Sequence, residues 1–195
     1  MKKIVFLAVV FVLFQCSSKK SVESVPVSAS LPAGVEVTPY DSDDGLARGV
    51  VRNGDNITAQ GDIKNGVQHG TWTTYDANGQ MTALQSYQNG ILQGTSLEFE
   101  KQGYISVQSN YFNGELHGEY LIYKRKKLIE KRNYESGVLS GLVTKYYDNG
   151  KLMQETPYEN GQMNGLGKWF DQEGNLTIAY LYENGELVDE DPEVD

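Results

Sequence analysis

The chain has 195 residues, with 26 acidic against 17 basic residues and a net charge of −9. That length bounds it to one or two domains, and the acidic balance opposes nucleic acid as a partner. Its single cysteine cannot form an internal disulfide, so a cross-linked secreted scaffold is excluded.

In chain order, Lys2 and Lys3 precede an unbroken apolar run from Ile4 to Phe14. The run is shorter than the ~20 apolar residues a transmembrane helix needs and fits the core of a secretion signal over residues 1–15. The only cysteine, Cys16, follows directly. A lone cysteine at this place resembles the acylation site of a bacterial lipoprotein. Leu13 stands where that pattern wants it, three before the cysteine, whereas Gln15 departs from the usual Gly or Ala. The resemblance implies cleavage before Cys16, a lipid on Cys16 and anchoring in the bacterial envelope, with an ordinary cleaved signal or an uncleaved anchor as alternatives. Ser17, in place of Asp, is associated with the outer rather than the inner membrane. Loss of Lys2 and Lys3 leaves 15 basic against 26 acidic residues, a mature charge of −11.

Residues 16–48 are rich in Ser, Val, Pro, Ala and Asp, and Pro26, Pro32 and Pro39 interrupt any regular element. This reads as a flexible tether spanning roughly 30 Å, with a buried N-terminal element as the alternative.

From residue 49 to 188 the chain repeats. One glycine recurs at Gly66, Gly90, Gly114, Gly137, Gly161 and Gly185, at intervals of 24, 24, 23, 24 and 24. A second follows four residues later at Gly70, Gly94, Gly118, Gly141 and Gly165, and a third at Gly79, Gly103, Gly150 and Gly174. Unit three has one residue fewer and the basic run Lys124-Arg125-Lys126-Lys127 in place of the third glycine. An aromatic residue stands five after the second glycine, at Tyr75, Phe99, Tyr123, Tyr146 and Phe170. Apolar residues follow at Met81, Ile105, Leu128, Leu152 and Leu176. Three before the first glycine stand Tyr87, Tyr111, Tyr134, Tyr158 and Tyr182, with Ile63 in the first unit.

A fixed period of this length is the mark of a repeat architecture. Asn-Gly pairs at 78–79, 89–90, 113–114, 149–150, 160–161 and 184–185 are turn signals, because both residues tolerate positive φ. Strand-length runs rich in Tyr, Thr, Val, Leu and Phe lie between them. Each unit is therefore expected to be a β-hairpin. The strand-end aromatic shares a face with the residues two and four before it. Trp72, Thr74, Glu98, Tyr120, Ile122, Lys145 and Trp169 lie on the opposite, mixed face. One face is expected to be inward and the other solvated.

The pattern Tyr-x-Asn-Gly-x-Leu-x-Gly, followed by an aromatic and Asn-Gly-x-Leu, resembles MORN repeats (membrane occupation and recognition nexus), in their bacterial variant, over residues 53–188. The resemblance implies an all-β fold: one elongated, twisted antiparallel sheet of stacked hairpins. Five full units with a half unit at each end imply about twelve strands, roughly 55–60 Å long at the usual strand spacing. Stability would come from neighbouring hairpins covering one another. Residues 189–195 form an acidic tail that would blunt the open sheet edge.

No catalytic constellation emerges, so the chain is expected not to be an enzyme, and neither a cofactor nor a metal is expected. Gly161, Gly165 and the Gly167-Lys168 pair resemble a phosphate-binding loop only superficially. Gln162 stands where that motif needs its first glycine, and Trp169 where it needs Ser or Thr. His69 and His117 share one slot two hairpins apart, about 19 Å, too far to share a metal. Three readings of function remain. The first is a membrane-tethered scaffold that presents its sheet to an unknown protein partner, with the basic run 124–127 meeting an acidic one. The second, from the resemblance alone, is an antitoxin or immunity protein. The third is a glycan or peptidoglycan module using exposed Trp72, Tyr120 and Trp169.

Overall fold

The computed structural model describes residues 31–42 and 44–190. The segment expected to be a signal (1–15), Cys16 and residues 191–195 lie outside the described residues. Strands β1 (Val35–Pro39), β2 (Leu46–Asn53) and β3 (Asn56–Lys64) lead into the repeats. Unit one is β4 (Val67–Tyr75) and β5 (Met81–Gln88); unit two is β6 (Ile91–Leu92), β7 (Gly94–Phe99) and β8 (Ile105–Phe112). Unit three is β9 (Glu115–Lys124) and β10 (Lys127–Glu135); unit four is β11 (Val138–Leu139), β12 (Gly141–Tyr146) and β13 (Leu152–Glu159). Unit five is β14 (Gln162–Met163), β15 (Gly165–Phe170) and β16 (Leu176–Glu183), and β17 (Glu186–Glu190) closes the array. All seventeen belong to one open antiparallel sheet, paired in chain order from β1–β2 to β16–β17. The short strands β6, β11 and β14 share a partner with β7, β12 and β15, so each couple is one strand interrupted by a bulge. Counted that way, β3 to β17 make the twelve strands expected.

Three local devices repeat and explain the glycine code. The first glycine and its predecessor form a two-residue turn with both φ angles positive, as in Asn89 (φ 51°) and Gly90 (φ 80°). This is the hairpin turn whose twist matches its strands, and it favours Asn-Gly. Its glycine N–H reaches back to the preceding unit: Gly90 to Gln68 O, Gly114 to Leu92 O, Gly137 to Leu116 O, Gly161 to Leu139 O and Gly185 to Met163 O, at 2.7–2.9 Å. The second glycine lies at a bulge with positive φ, opposite the unit's tyrosine: Gly70 faces Tyr87 and Gly94 faces Tyr111. A further register shift precedes each strand-end aromatic, which then opposes the conserved-spacing aliphatic: Tyr75 with Met81, Phe99 with Ile105, Tyr123 with Leu128, Tyr146 with Leu152, Phe170 with Leu176. Such cross-strand pairs contribute ~0.2–1 kcal/mol each, and two bulges per unit strengthen the twist.

At the opposite edge, units one, two, four and five close with a tip in which the third glycine N–H bonds three residues back, as Gly79 N to Asp76 O at 3.0 Å. In unit three the missing residue leaves a two-residue tip. Arg125 and Lys126 take φ of 49° and 69°, where other tips place glycine. Left-handed backbone costs a bulky residue ~1–2 kcal/mol.

The array begins earlier than residue 49. The stretch expected to be tether contains β1, paired along its length with β2. Val35 and Leu31 pack against the cluster of Ala47, Ile63 and Trp72. Few apolar residues suffice because the strand only caps one end of the sheet. Pro39, its last residue, sits on an edge strand, where a missing N–H interrupts no inner ladder. At the other end, Asp189 and Glu190, expected in the tail, belong to β17.

Candidate interaction face

Directly opposed residues share a face, so the registers assign each side chain. Tyr87, Tyr111, Tyr134, Tyr158 and Tyr182 lie on the same face as Trp72, Tyr120 and Trp169. The second ladder, Tyr75, Phe99, Tyr123, Tyr146 and Phe170, lies on the other face: Tyr75 Oη accepts from Gln60 Nε2 at 2.7 Å, one residue out of phase with front-facing Ala59 and Gly61. The two aromatic ladders therefore do not line one groove. The mixed face, called the front here, is also the more deeply packed one. Ala47, Ile63, Trp72, Ser96, Ser109, Val143 and Thr156 are buried on it, against Thr144 and Ala179 on the rear.

The front face sorts the predicted binding residues. Trp72 is not exposed: it keeps 2% of its surface, and its Nε1 donates to Asp62 O at 2.8 Å. The reason lies in Gly49 and Gly61, whose missing side chains leave the indole its space. A Cβ on Gly61 would lie 2.3 Å from Trp72 Cγ. Tyr120 and Trp169 stay half-buried and available. Trp169 meets Tyr180 edge-on at 5.2 Å, and Tyr180 meets Tyr182 at 6.4 Å. Its indole also leans over Gly167, so the space left by the missing side chain there is filled from within the same strand. A cleft of about 590 Å³ opens beside it, lined by Tyr147, Met153, Trp169, Phe170 and Tyr180 among others.

The basic run divides. Lys124, Arg125, Lys126 and Lys127 are all exposed at the tip. Glu100 accepts from Arg125 N, Lys126 Nζ stands 4.1 Å over the Tyr104 ring, and Lys127 Nζ donates to Asp148 O. Beyond the tip, Lys131 turns rearward and pairs with Glu119, a contact that raises its pKa. Arg132 turns to the front, where it bonds Glu130 at 2.7 Å and Tyr134 Oη at 3.4 Å and stands 5.7 Å from the Tyr120 ring centre. The Glu130 bond holds the guanidinium firmly protonated. Burial pushes the Tyr120 hydroxyl pKa up, Glu98 adds to it, and Arg132 opposes. The Arg132–Glu130–Tyr134 cluster is the feature that the sequence reading missed. Its signal was the alternation Glu130-Lys131-Arg132, which sends the second and third residues to opposite faces.

His69 and His117 sit at the bulges and do different things. His117 Nδ1 accepts a long bond from Ser136 N, while His69 Nδ1 is buried without a hydrogen-bond partner among the described residues. Among the described residues no group of three His, Cys, Asp or Glu side chains is placed to hold a metal.

The sequence profile of the MORN repeat variant matches residues 68–89 and 139–160. These are units one and four, from the strand before the bulge glycine to the next Asn-Gly turn. A search of curated proteins finds no match. Units two, three and five share with the matched pair the same bulge, aromatic–aliphatic rung and back-reaching turn. MORN repeats form binding or scaffolding modules and are generally non-catalytic. Two of the five units thus match the MORN repeat variant and the other three share their geometry, so the array is built of MORN-type repeats.

Proposed function

We propose that this protein is a non-enzymatic envelope lipoprotein, held to a bacterial membrane through Cys16, that offers the front face of its sheet to a protein partner. The observation that carries the reading is the composition of that face. From unit three onward it presents Tyr120, Arg132, Tyr134, Tyr158, Trp169 and Tyr180, all part-buried, and among the described residues no second layer covers them. Tyr, Trp and Arg are the residues on which protein–protein binding energy concentrates. The aromatic bodies offer area while hydroxyl and guanidinium groups offer directional bonds. The cluster around Arg132 is pre-formed, which lowers the ordering cost of an encounter.

The test is capture of partners from membranes by the full chain, compared between a front-face variant (Tyr120→Ser with Trp169→Ser) and a rear-face control (Leu142→Ser, 45% exposed). The proposal expects the front-face variant alone to lose its partner. Equal capture by both variants would sink it. Labelling with palmitate tests the anchor separately and should vanish in Cys16→Ala. A glycan reading now rests on Tyr120 and Trp169 without Trp72; retention on isolated peptidoglycan that falls with the front-face variant would favour it over a protein partner.

A further inference from the structure

The middle of the tip edge is basic and most of the turn edge is acidic, at the same period, whereas the tips of units one and five carry Asp76 and Asp171 with Glu173. On the tip edge, three successive tips hold Lys101, then Lys124, Arg125, Lys126 and Lys127, then Lys151, all exposed, against Glu100 and Asp148. On the turn edge, four successive turns hold Glu115, Glu135, Glu159 and Glu183 with Glu186, all exposed, and no basic residue lies at any of these four. Glu135, Glu159 and Glu183 occupy one repeat slot, two before the turn glycine, where the first three units carry Lys64, Gln88 and Phe112. Tips and turns both recur every second strand, about 9.6 Å apart. Within one chain the two sets lie at opposite edges of the same sheet and cannot meet.

The tip of unit three adds an independent sign. Every other tip gives positive φ to glycine; here Arg125 and Lys126 adopt it. Strain of this kind, held in place by its surroundings, points to use. Among the described residues none of the four tip cations has an acidic side chain within ion-pair distance, and none of Glu115, Glu135, Glu183 and Glu186 has a basic one.

We infer that the basic tip of unit three docks on the acidic turn edge of a second copy of this chain, side by side, with Lys101 and Lys151 meeting the neighbouring glutamates. The matched spacing allows three tips to face three turns at once. A single surface ion pair is weak, but three in register act together. The contact is heterologous, so it leaves each copy one free edge and extends in rows rather than closing as a pair. The front face is not used, and the inference stands independently of the partner proposed above.

The experiment uses the full chain in neutral detergent, as a mixture of isotopically heavy and light copies, with carbodiimide joining amines to carboxylates. Mass spectrometry should find heavy-to-light links between Lys124, Lys126 or Lys127 and Glu135, Glu159 or Glu183. Their yield should fall at least tenfold between 20 and 500 mM salt, because the contact is screened over about a Debye length. A tip variant (K124E, R125E, K126E, K127E) and an edge variant (E135K, E159K, E183K) should each lose these links alone and recover them when mixed, which also shows that both variants fold. Absence of heavy-to-light links at low salt, or no recovery on mixing, overturns the inference.

Discussion

The packing of Trp72 against Gly61 can be tested by one added methyl group. A Cβ at position 61 would sit 2.3, 2.4 and 2.5 Å from three atoms of the indole. Ordinary contact between carbon atoms is about 3.5–4.0 Å, so the overlap is about 1 Å or more at each. The ring has little room to slide, because Ile63 and Ala47 pack in the same cluster and Gly49 lies under its far edge. Two responses are open. Strained overpacking costs about 1–3 kcal/mol. Expulsion of the indole forfeits its burial, an effect of about 3–5 kcal/mol for a core tryptophan. With an overlap this large we expect Gly61→Ala to cost about 3 kcal/mol. In a Trp72→Ala background the clash is gone, and alanine in place of glycine is favourable by about 0.5–1 kcal/mol. The two mutations should therefore couple by about 3–4 kcal/mol. Repeat arrays need not unfold as one unit, so the measurement is amide hydrogen exchange of β2, β3 and β4, which reads local opening. If Gly61→Ala lowers protection equally in both backgrounds, the indole is not what requires glycine there, and the packing argument fails.

The turn code makes a second prediction. Ser136 (φ 47°) occupies the slot that holds Asn65, Asn89, Asn113, Asn160 and Asn184 elsewhere. Ser136→Asn should stabilise β10 and β11 by about 0.5 kcal/mol, read as slower exchange at that turn; faster exchange would contradict the assignment. Replacing Arg125-Lys126 by Asn-Gly should relieve ~1–2 kcal/mol of strain per residue. Against this stand the stacking of Lys126 on Tyr104, worth ~0.5–1 kcal/mol, and a glycine entropy of ~0.5–1 kcal/mol. The net is a gain of about 1 kcal/mol in thermal or urea midpoint, and a loss would show the tip to be unstrained. Acid should loosen two other tips. Asp76 accepts the backbone N–H groups of Gln80 and Asn78, and Asp171 binds the side chain and N–H of Asn175, which lowers both pKa values. A depressed carboxyl pKa stabilises the fold fully above its unfolded value near 3.9, and that support is lost as pH falls through the folded value. Between pH 5 and pH 2.5 the wild type should therefore lose more stability in urea than an Asp76→Ser, Asp171→Ser variant; equal losses would remove these carboxylates from the account.

The phase of the repeat was legible because each recurring glycine answers a backbone demand that only one or two residue types meet. Asn89-Gly90 and Asp76 to Gly79 reveal their turns locally. What sequence left open depends on counting through bulges. Tyr75 and Tyr87 are twelve residues apart, and whether they share a face depends on a bulge that adds a residue without any visible mark at Thr82. The two ladders keep one period in the sequence and nevertheless lie on opposite faces. Trp72 looked available because its burial is decided by Gly49 and Gly61, two strands that precede its own hairpin. The strand at Val35–Pro39 was hidden because a capping edge needs only alternate apolar residues, and proline at its end reads as a breaker.

The bonds from each turn glycine to the preceding unit give the array a direction in time. The acceptor, at Gln68, Leu92, Leu116, Leu139 or Met163, is always synthesised about twenty residues before its donor. A chain emerging from the ribosome therefore displays each docking carbonyl before the turn that will use it, and never waits for a distant segment. Growth by duplication of a whole unit would preserve this order at both joints. The same bond that fixes the spacing of the hairpins thus makes the array extendable, and lets it assemble from its N-terminal end one hairpin at a time.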